Sequence, residues 1–323
     1  NLLYKYVKDI PEVRDIQQVT AYLQSKATDW RGEGHEFTGG EDFDKIESAR
    51  LLNSSEYTLN AALGYISLKT SLQQDEVLAV AYEYTYGGKV YQVGEFASDQ
   101  SQQGEQNIGT RAPNLILKML RSSNNAPIEA SAGRSKTDRY GTWHLMMKNI
   151  YSLGASSMTA DKFELYVKYR NDSIGQEVQY LPEGARTKGK QLIRVLNADR
   201  LDQRNNPYPD GRFDYVEGYT VLSNMGRVFF PVLEPFGSHL AKELGNDPAL
   251  VKKYCFQELY DSTLIVAQEM SEKNKFVLAG KYQGTNSSEI RLNAMNVPRG
   301  SVTVTAGGAK LVENVDYTVD YAM

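Results

Sequence analysis

The sequence predicts a mainly β fold with minor α (an α+β class), built from short-strand antiparallel sheets in sandwich-like soluble domains. Three observations carry that prediction. Short apolar runs recur at roughly 8–12-residue spacing between Gly, Pro, Asn and Asp. Val77–Tyr86 alternates over its length and is followed by Gly87-Gly88 and the run Lys89–Gly94, the pattern of a hairpin with a Gly-Gly turn. Tyrosine outnumbers phenylalanine 22 to 10, and Tyr suits half-buried strands whose one end packs while the other meets water.

The elements follow in chain order. Asn1–Lys8 fits a strand or a short helix and ends at Pro11. Val13–Leu23 alternates loosely, as a strand or a short amphipathic segment. Thr28–Asp44 is Gly- and acid-rich and reads as a loop. Glu56–Leu59 and Gly64–Leu68 are two strands around a turn closed by Gly64, where a positive φ is needed. Val77–Tyr86 is one long strand. Ala97–Thr110 and Arg121–Arg139 are polar loops, and Asn114–Leu120 between them fits a helix or a buried strand equally. Phe163–Tyr169 is a half-buried strand with Phe163, Leu165, Val167 and Tyr169 on one face. Leu192–Leu196 reads as another strand, and Asp199–Asp214 as a turn-rich loop. Asn246-Asp247-Pro248 starts a helix, with a capping side chain and Pro in the first turn. Leu259–Met270 fits helix or strand. Phe276–Gly280, Ser288–Leu292 and Val302–Thr305 are short strands with turns at Gly284, Pro298-Arg299-Gly300 and Gly307-Gly308.

A repeat runs through this order. Ala49–Leu63 and Ala309–Met323 align without a gap: Ala, a base, Leu, an aliphatic residue, three variable residues, an acid, then Tyr-Thr and an aliphatic residue. A looser copy is Tyr219-Thr220-Val221, four residues, then Gly226-Arg227-Val228-Phe229-Phe230. The shared unit is YT[VL]-x4-G-x-[VI]-x-[LF], a strand–turn–strand pattern. Its unequal spacing argues against a solenoid. The last copy stops before its expected Gly, and the chain starts at Asn1 without Met. Both suggest an excised piece of a longer protein, whose gene is expected to continue with Gly and a short alternating strand.

At 323 residues the chain is long enough for two or three domains, drawn at residues 1–108, 109–245 and 246–323. The net charge of −4 disfavours nucleic acid as a main partner. The one cysteine, Cys255, excludes an internal disulfide and reads as a buried, inert thiol. No apolar run approaches the roughly 20 residues of a spanning helix. Val77–Tyr86 has the length of a barrel strand, about 9–11 residues, but both of its rows begin apolar, which favours a strand of a soluble domain.

No constellation for chemistry stands out, and no catalytic, cofactor-binding or metal-binding residue is assigned. His35, His144 and His239 lie far apart, with no ligand partner at metal spacing. Asp199, Asp202, Asn205, Asn206, Asp210 and Asp214 crowd one loop; the donor type suits Ca²⁺, but Arg204 breaks the register, and turn side chains bonding their own backbone account for the pattern. The Gly-rich stretches Gly32–Gly40 and Gly307-Gly308 lack the strand-to-helix context of a phosphate loop. Carboxylate pairs such as Glu41-Asp42-Asp44, or Asp214 with Glu217, are what 40 acids produce by chance. The protein reads as no enzyme.

The stretches ESARLLNSSEYTLNAALGYISL, DEVLAVAYEYTYGGKVYQVGEF, WHLMMKNIYSLGA, YLPEG, PDGRFDYVEGYTV, GRVFFPVLEPFG, FQELYDST and SSEIRLNAMNVPRGSVTVTAGGAKLVENVDYTVDY together resemble the N-terminal region of the SprA/Sov family. These are the outer-membrane translocons of the Bacteroidetes type 9 secretion system, linked to gliding motility. The resemblance covers most of the chain, from about Val13 to Tyr321. It implies a soluble, non-catalytic segment of a protein-export translocon at the cell envelope, acting as scaffold, gate or docking surface. The implied partners are the barrel's lipoprotein and plug subunits and secreted cargo, with the outer membrane crossed by the rest of the chain. It also implies O-glycan acceptors at Asp172-Ser173-Ile174 and Asp261-Ser262-Thr263, although plain turn residues explain both triplets. The competing reading is a cell-surface β-sandwich that binds glycan or peptide on exposed aromatics, with Trp30 and Trp143 as the indole candidates.

Overall fold

The computed structural model describes residues 4, 7–25, 37–98, 114–127, 141–155, 157–284, 292, 297–313 and 315–319. The fold is mainly β with minor α. Among the described residues its strands form small antiparallel sheets of two or three strands, none closed into a barrel. No described helix is long and apolar enough to cross a membrane. The chain divides into two compact units, and neither is one unbroken stretch: Asn1–Lys148 with Phe236–Ser238 and Lys253–Asn274, and Asn149–Pro235 with His239–Lys252 and Lys275–Met323.

In the first unit Tyr4 and Val7 are helical, as are Pro11–Arg14 and Val19–Ser25. Pro11 does not interrupt a strand here; it sits in a helix's first turn, where its fixed φ and missing N–H cost nothing. Val7, Val13, Val19, Leu23 and Phe37 form a small core with Tyr22, Phe43 and Ile116 against it. A polar knot stands beside it. Arg14 grips the Glu95 carboxylate with two guanidinium nitrogens, each at 2.8 Å, while Tyr4 Oη (2.8 Å) and Ile116 N–H (3.0 Å) donate to the same group. Burial raises the Glu95 pKa; the four hydrogen bonds more than offset it, and the carboxyl lies below its ordinary range.

The strands of this unit pair locally. β1 (Tyr57–Asn60) joins β2 (Tyr65–Leu68). The run expected as one strand, Val77–Tyr86, is two: β3 (Leu78–Val80) and β4 (Tyr82–Tyr86). β4 forms the expected hairpin with β5 (Lys89–Val93) around Gly87-Gly88, whereas β3 pairs with β6 (Lys118–Arg121). The chain changes partners at Ala81, where Gly94 approaches so closely that an added Cβ would lie 2.9 Å from the Val80 carbonyl oxygen. Split into pieces of three and five residues, the run falls short of the roughly 9–11 residues of a membrane strand. Asn114–Leu120 resolves as strand at β6, and Leu259–Met270 as helix, in Glu258–Asp261 and Leu264–Glu269. Buried Tyr260 ties its helix to the chain at Phe236, whose N–H donates to Tyr260 Oη at 3.0 Å.

The second unit contains β7 (Ile150–Ser152), β8 (Met158–Asn171), β9 (Gln176–Val178), β10 (Val221–Leu222), β11 (Arg227–Phe229), β12 (Phe276–Gly284), β13 (Thr305–Ala306) and β14 (Ala309–Lys310). β8 is central in the sheet β12-β8-β9. Its residues Phe163, Leu165, Val167 and Tyr169 are all buried, the face that alternation predicted. Leu192–Leu196 is a correction: Leu192–Val195 is a helical turn, not a strand. Leu192, Ile193, Val195 and Leu196 are buried around exposed Arg194, which is helical spacing. Asn197, at φ 59°, ends the turn in the left-handed conformation that Asn tolerates. Asp247 Oδ1 caps the expected helix Pro248–Tyr254, accepting from Ala249 and Leu250 N–H. Two smaller corrections lie at the C-terminal side. Strand structure starts at Thr305 rather than Val302, and Gly284 ends β12 instead of marking a turn after Gly280. Residues 288–291, within an expected strand, lie outside the described residues, as do most of the loops expected after Ala97 and Arg121.

The repeat is one structural device used twice. Leu59 pairs with Ile66 and Asn60 with Tyr65 in the first copy; Val221 pairs with Val228 and Leu222 with Arg227 in the second. These are the same positions of the motif, so the two hairpins share a register. Each four-residue loop ends on a left-handed Gly, Gly64 at φ 70° and Gly226 at φ 59°. In the first and third copies the acid before Tyr-Thr closes a turn, Glu56 accepting from Asn53 N–H and Asp316 from Val312 N–H, both at 2.8 Å; Tyr317–Val319 of the third copy is not the strand that the repeat predicted. The final residues of the third copy, 320–323, lie outside the described residues.

Arg50 and the Asn53 N–H hold the Glu56 pKa down to about 2. A depressed carboxyl pKa means the unfolded chain binds more protons in the window between the two values. The stabilisation is therefore complete above the ordinary value of 4.5 and fades as pH falls toward about 2. Carboxyl NMR titration should find Glu56 titrating well below the ordinary value of 4.5, and Arg50→Gln should return it toward 4.5; an unshifted Glu56 in the parent chain would refute the turn-closing role.

Candidate functional site

The antiparallel register of β4 and β5 puts Tyr82, Tyr84, Tyr86, Lys89, Tyr91 and Val93 on one face and Glu83, Thr85, Val90 and Gln92 on the other. The tyrosines are not core residues. Tyr82, Tyr84, Tyr86 and Tyr91 are 45, 46, 76 and 40% exposed. Tyr84 and Tyr91, directly opposite each other, stack with ring centroids 5.2 Å apart and planes 16° apart, and Tyr82 continues the row 6.2 Å from Tyr84. Cross-strand aromatic pairs of this kind stabilise a hairpin locally. They also hold the rings in fixed positions, so a partner meeting this face orders few side chains on it. β4 and β5 pair only with each other among the described strands, and a lone two-stranded hairpin is marginal in water.

The other residues singled out in the sequence are engaged elsewhere. Trp143 is half-buried; its Nε1 donates to the Tyr260 carbonyl at 2.8 Å, and Lys148 Nζ stands 4.8 Å from the ring centroid, over the face a sugar would need. Trp30 and His35 lie outside the described residues. His239 Nε2 is 2.8 Å from the Val195 carbonyl oxygen. His144 lies in the short helical turn Thr142–Leu145. Cys255 is buried, and desolvation pushes its thiol up to about 11, where almost no thiolate forms at neutral pH. Ser173 lies in an exposed turn, while the Ser262 hydroxyl donates to the Glu258 carbonyl.

The loop of residues 199–214 bonds its acids to its own backbone, with Asp199 alone buried. Asp199 is buried and accepts from the N–H groups of Asp210 and Gly211; Asp202 accepts from Arg204 and Asn206, and Asp214 from Arg200 and Leu201. These carboxylates close turns, and among the described residues no three His, Cys, Asp or Glu side chains converge as metal ligands. The exposed tyrosine row was legible only as a compositional excess: alternation assigns the residues to one face, but not to the solvent.

No protein-family model matches the chain, and no curated protein matches it.

Proposed function

We propose that this chain is a non-catalytic docking segment of an outer-membrane protein-export translocon of the type 9 kind, with a secretion-system protein or its cargo seating on the tyrosine face of β4–β5. The family part of this reading rests on the sequence resemblance. The docking part rests on one observation: four tyrosines share an exposed face of a hairpin that has no further strand beside it among the described residues. Tyr is enriched at interface hot spots because a rigid amphipathic ring buries much area at little entropic cost.

The test uses the whole chain as bait on solubilised Bacteroidetes outer membranes. The parent should capture the translocon's lipoprotein and plug partners. The double variant Tyr82→Ser/Tyr86→Ser, which keeps the stacked Tyr84–Tyr91 pair, should lose about 30-fold in affinity, the effect of removing one interface hot spot of ~2 kcal/mol, with its thermal melt little changed. Capture that is absent in the parent, or equal in both proteins, would overturn the proposal. The competing glycan-binding reading draws on the same rings; it gains if a glycan array shows hits that the double variant loses.

A further inference from the structure

The loop whose acids bond its own backbone leaves its bases at the surface. Residues 186–214 hold seven Lys or Arg against four acids, in a chain whose net charge is −4. Lys190, Arg194, Arg200, Arg204 and Arg212 are all exposed. Among the described residues none of the five is ion-paired. The four acids are Asp199, Asp202, Asp210 and Asp214, and each accepts at least one backbone N–H of this loop. The two stretches that carry the bases lie together: a Cβ on Gly211 would be 3.3 Å from the Gln191 side chain, and Arg200 bonds Asn197 at 3.0 Å. Tyr208 projects between Pro207 and Pro209 and is 70% exposed.

We infer that this loop is a membrane-surface contact: its guanidinium and ammonium groups meet the phosphates of anionic lipid headgroups, and Tyr208 seats at headgroup depth. Several features select a lipid surface. The cations are spread over a loop and a neighbouring helical turn, which suits a diffuse plane of phosphates. Their long side chains reach headgroups while their stems lie along the apolar boundary. The single projecting aromatic is Tyr, whose ring and hydroxyl divide between acyl chains and water. Prolines on both sides restrict the backbone around it, so less entropy is lost on seating. The negative charge of the remaining chain repels an anionic surface, so the contact is also an orientation. The inference uses none of the residues of the β4–β5 tyrosine face and does not depend on the export reading.

Co-sedimentation of the whole chain with vesicles tests it. The parent should bind phosphatidylglycerol/phosphatidylethanolamine vesicles at low salt, bind phosphatidylcholine vesicles at least about tenfold less, and be released as salt rises and screening shortens. Arg200→Gln/Arg204→Gln/Arg212→Gln should lower binding about tenfold or more, and Tyr208→Ser several-fold, with little effect on the thermal melt. If the triple variant fails to fold, the loop-tip pair Arg204→Gln/Tyr208→Ser serves instead, with the same expected drop. Equal binding to neutral vesicles, binding that survives these substitutions, or no binding by the parent overturns the inference. Capture on immobilised polyglutamate without vesicle binding overturns it in favour of an acidic polypeptide.

Discussion

Gly226→Ala should destabilise the second unit by about 4 kcal/mol or more, whereas Gly64→Ala, at the same position of the repeat, should cost about 1 kcal/mol. Both glycines are left-handed, at φ 59° and 70°, so both substitutions carry the conformational penalty of a Cβ at positive φ. Their surroundings differ. A Cβ on Gly64 meets nothing within 4 Å, while one on Gly226 would sit 1.8 Å from the Ala155 carbonyl oxygen and 2.6 Å from its carbonyl carbon. Backbone cannot rotate away as a side chain does. The β10–β11 turn must therefore separate from the chain leaving β7, straining the bond from Leu153 N–H to the Gly226 carbonyl, now 2.8 Å. Urea unfolding of the two variants measures the contrast. Equal losses would mean that the close approach at Ala155 does not constrain the fold.

Phe230→Ala should cost about 3–5 kcal/mol, the usual range for removing a buried aromatic side chain. Phe230 is 1% exposed. It meets Tyr151 edge-on at 5.6 Å and Phe213 at 5.9 Å. Its backbone is clamped as well: its N–H donates to the Asn149 carbonyl, and Asn149 Nδ2 donates to its carbonyl oxygen at 2.7 Å. The alanine variant keeps the clamp and loses the ring, leaving a cavity between strand and loop. Hydrogen exchange should accelerate in β7, β10 and β11, and the melting temperature should fall by about 6–20 °C. A loss below about 1 kcal/mol would show that the surrounding aromatics collapse into the space.

How far local sequence reaches is plain from particular elements. The face Phe163, Leu165, Val167, Tyr169 follows from period-two alternation alone, because a strand with one buried face writes that face into its sequence. The cap at Asp247 and the turn at Gly87-Gly88 are equally local, set by one side chain or by φ angles that Gly reaches freely. Leu192–Leu196 went the other way because five apolar-rich residues fit either period, and the helix was decided by what surrounds it. Val77–Tyr86 was divided by a residue outside the run, Gly94, whose approach at Ala81 no reading of those ten positions contains.

The sequence by itself determined the class of the fold and the strand–turn–strand units, because these depend on neighbours along the chain. Tertiary structure alone decided which tyrosines stay at the surface, that Trp143 is held by Tyr260 and covered by Lys148, and that the acids of residues 199–214 face backbone amides while the bases face water. The reason is physical. Exposure and pairing depend on which distant segments arrive at a residue, as with Phe236–Ser238 joining the unit begun by Asn1–Lys148, and spacing along one segment carries no record of them.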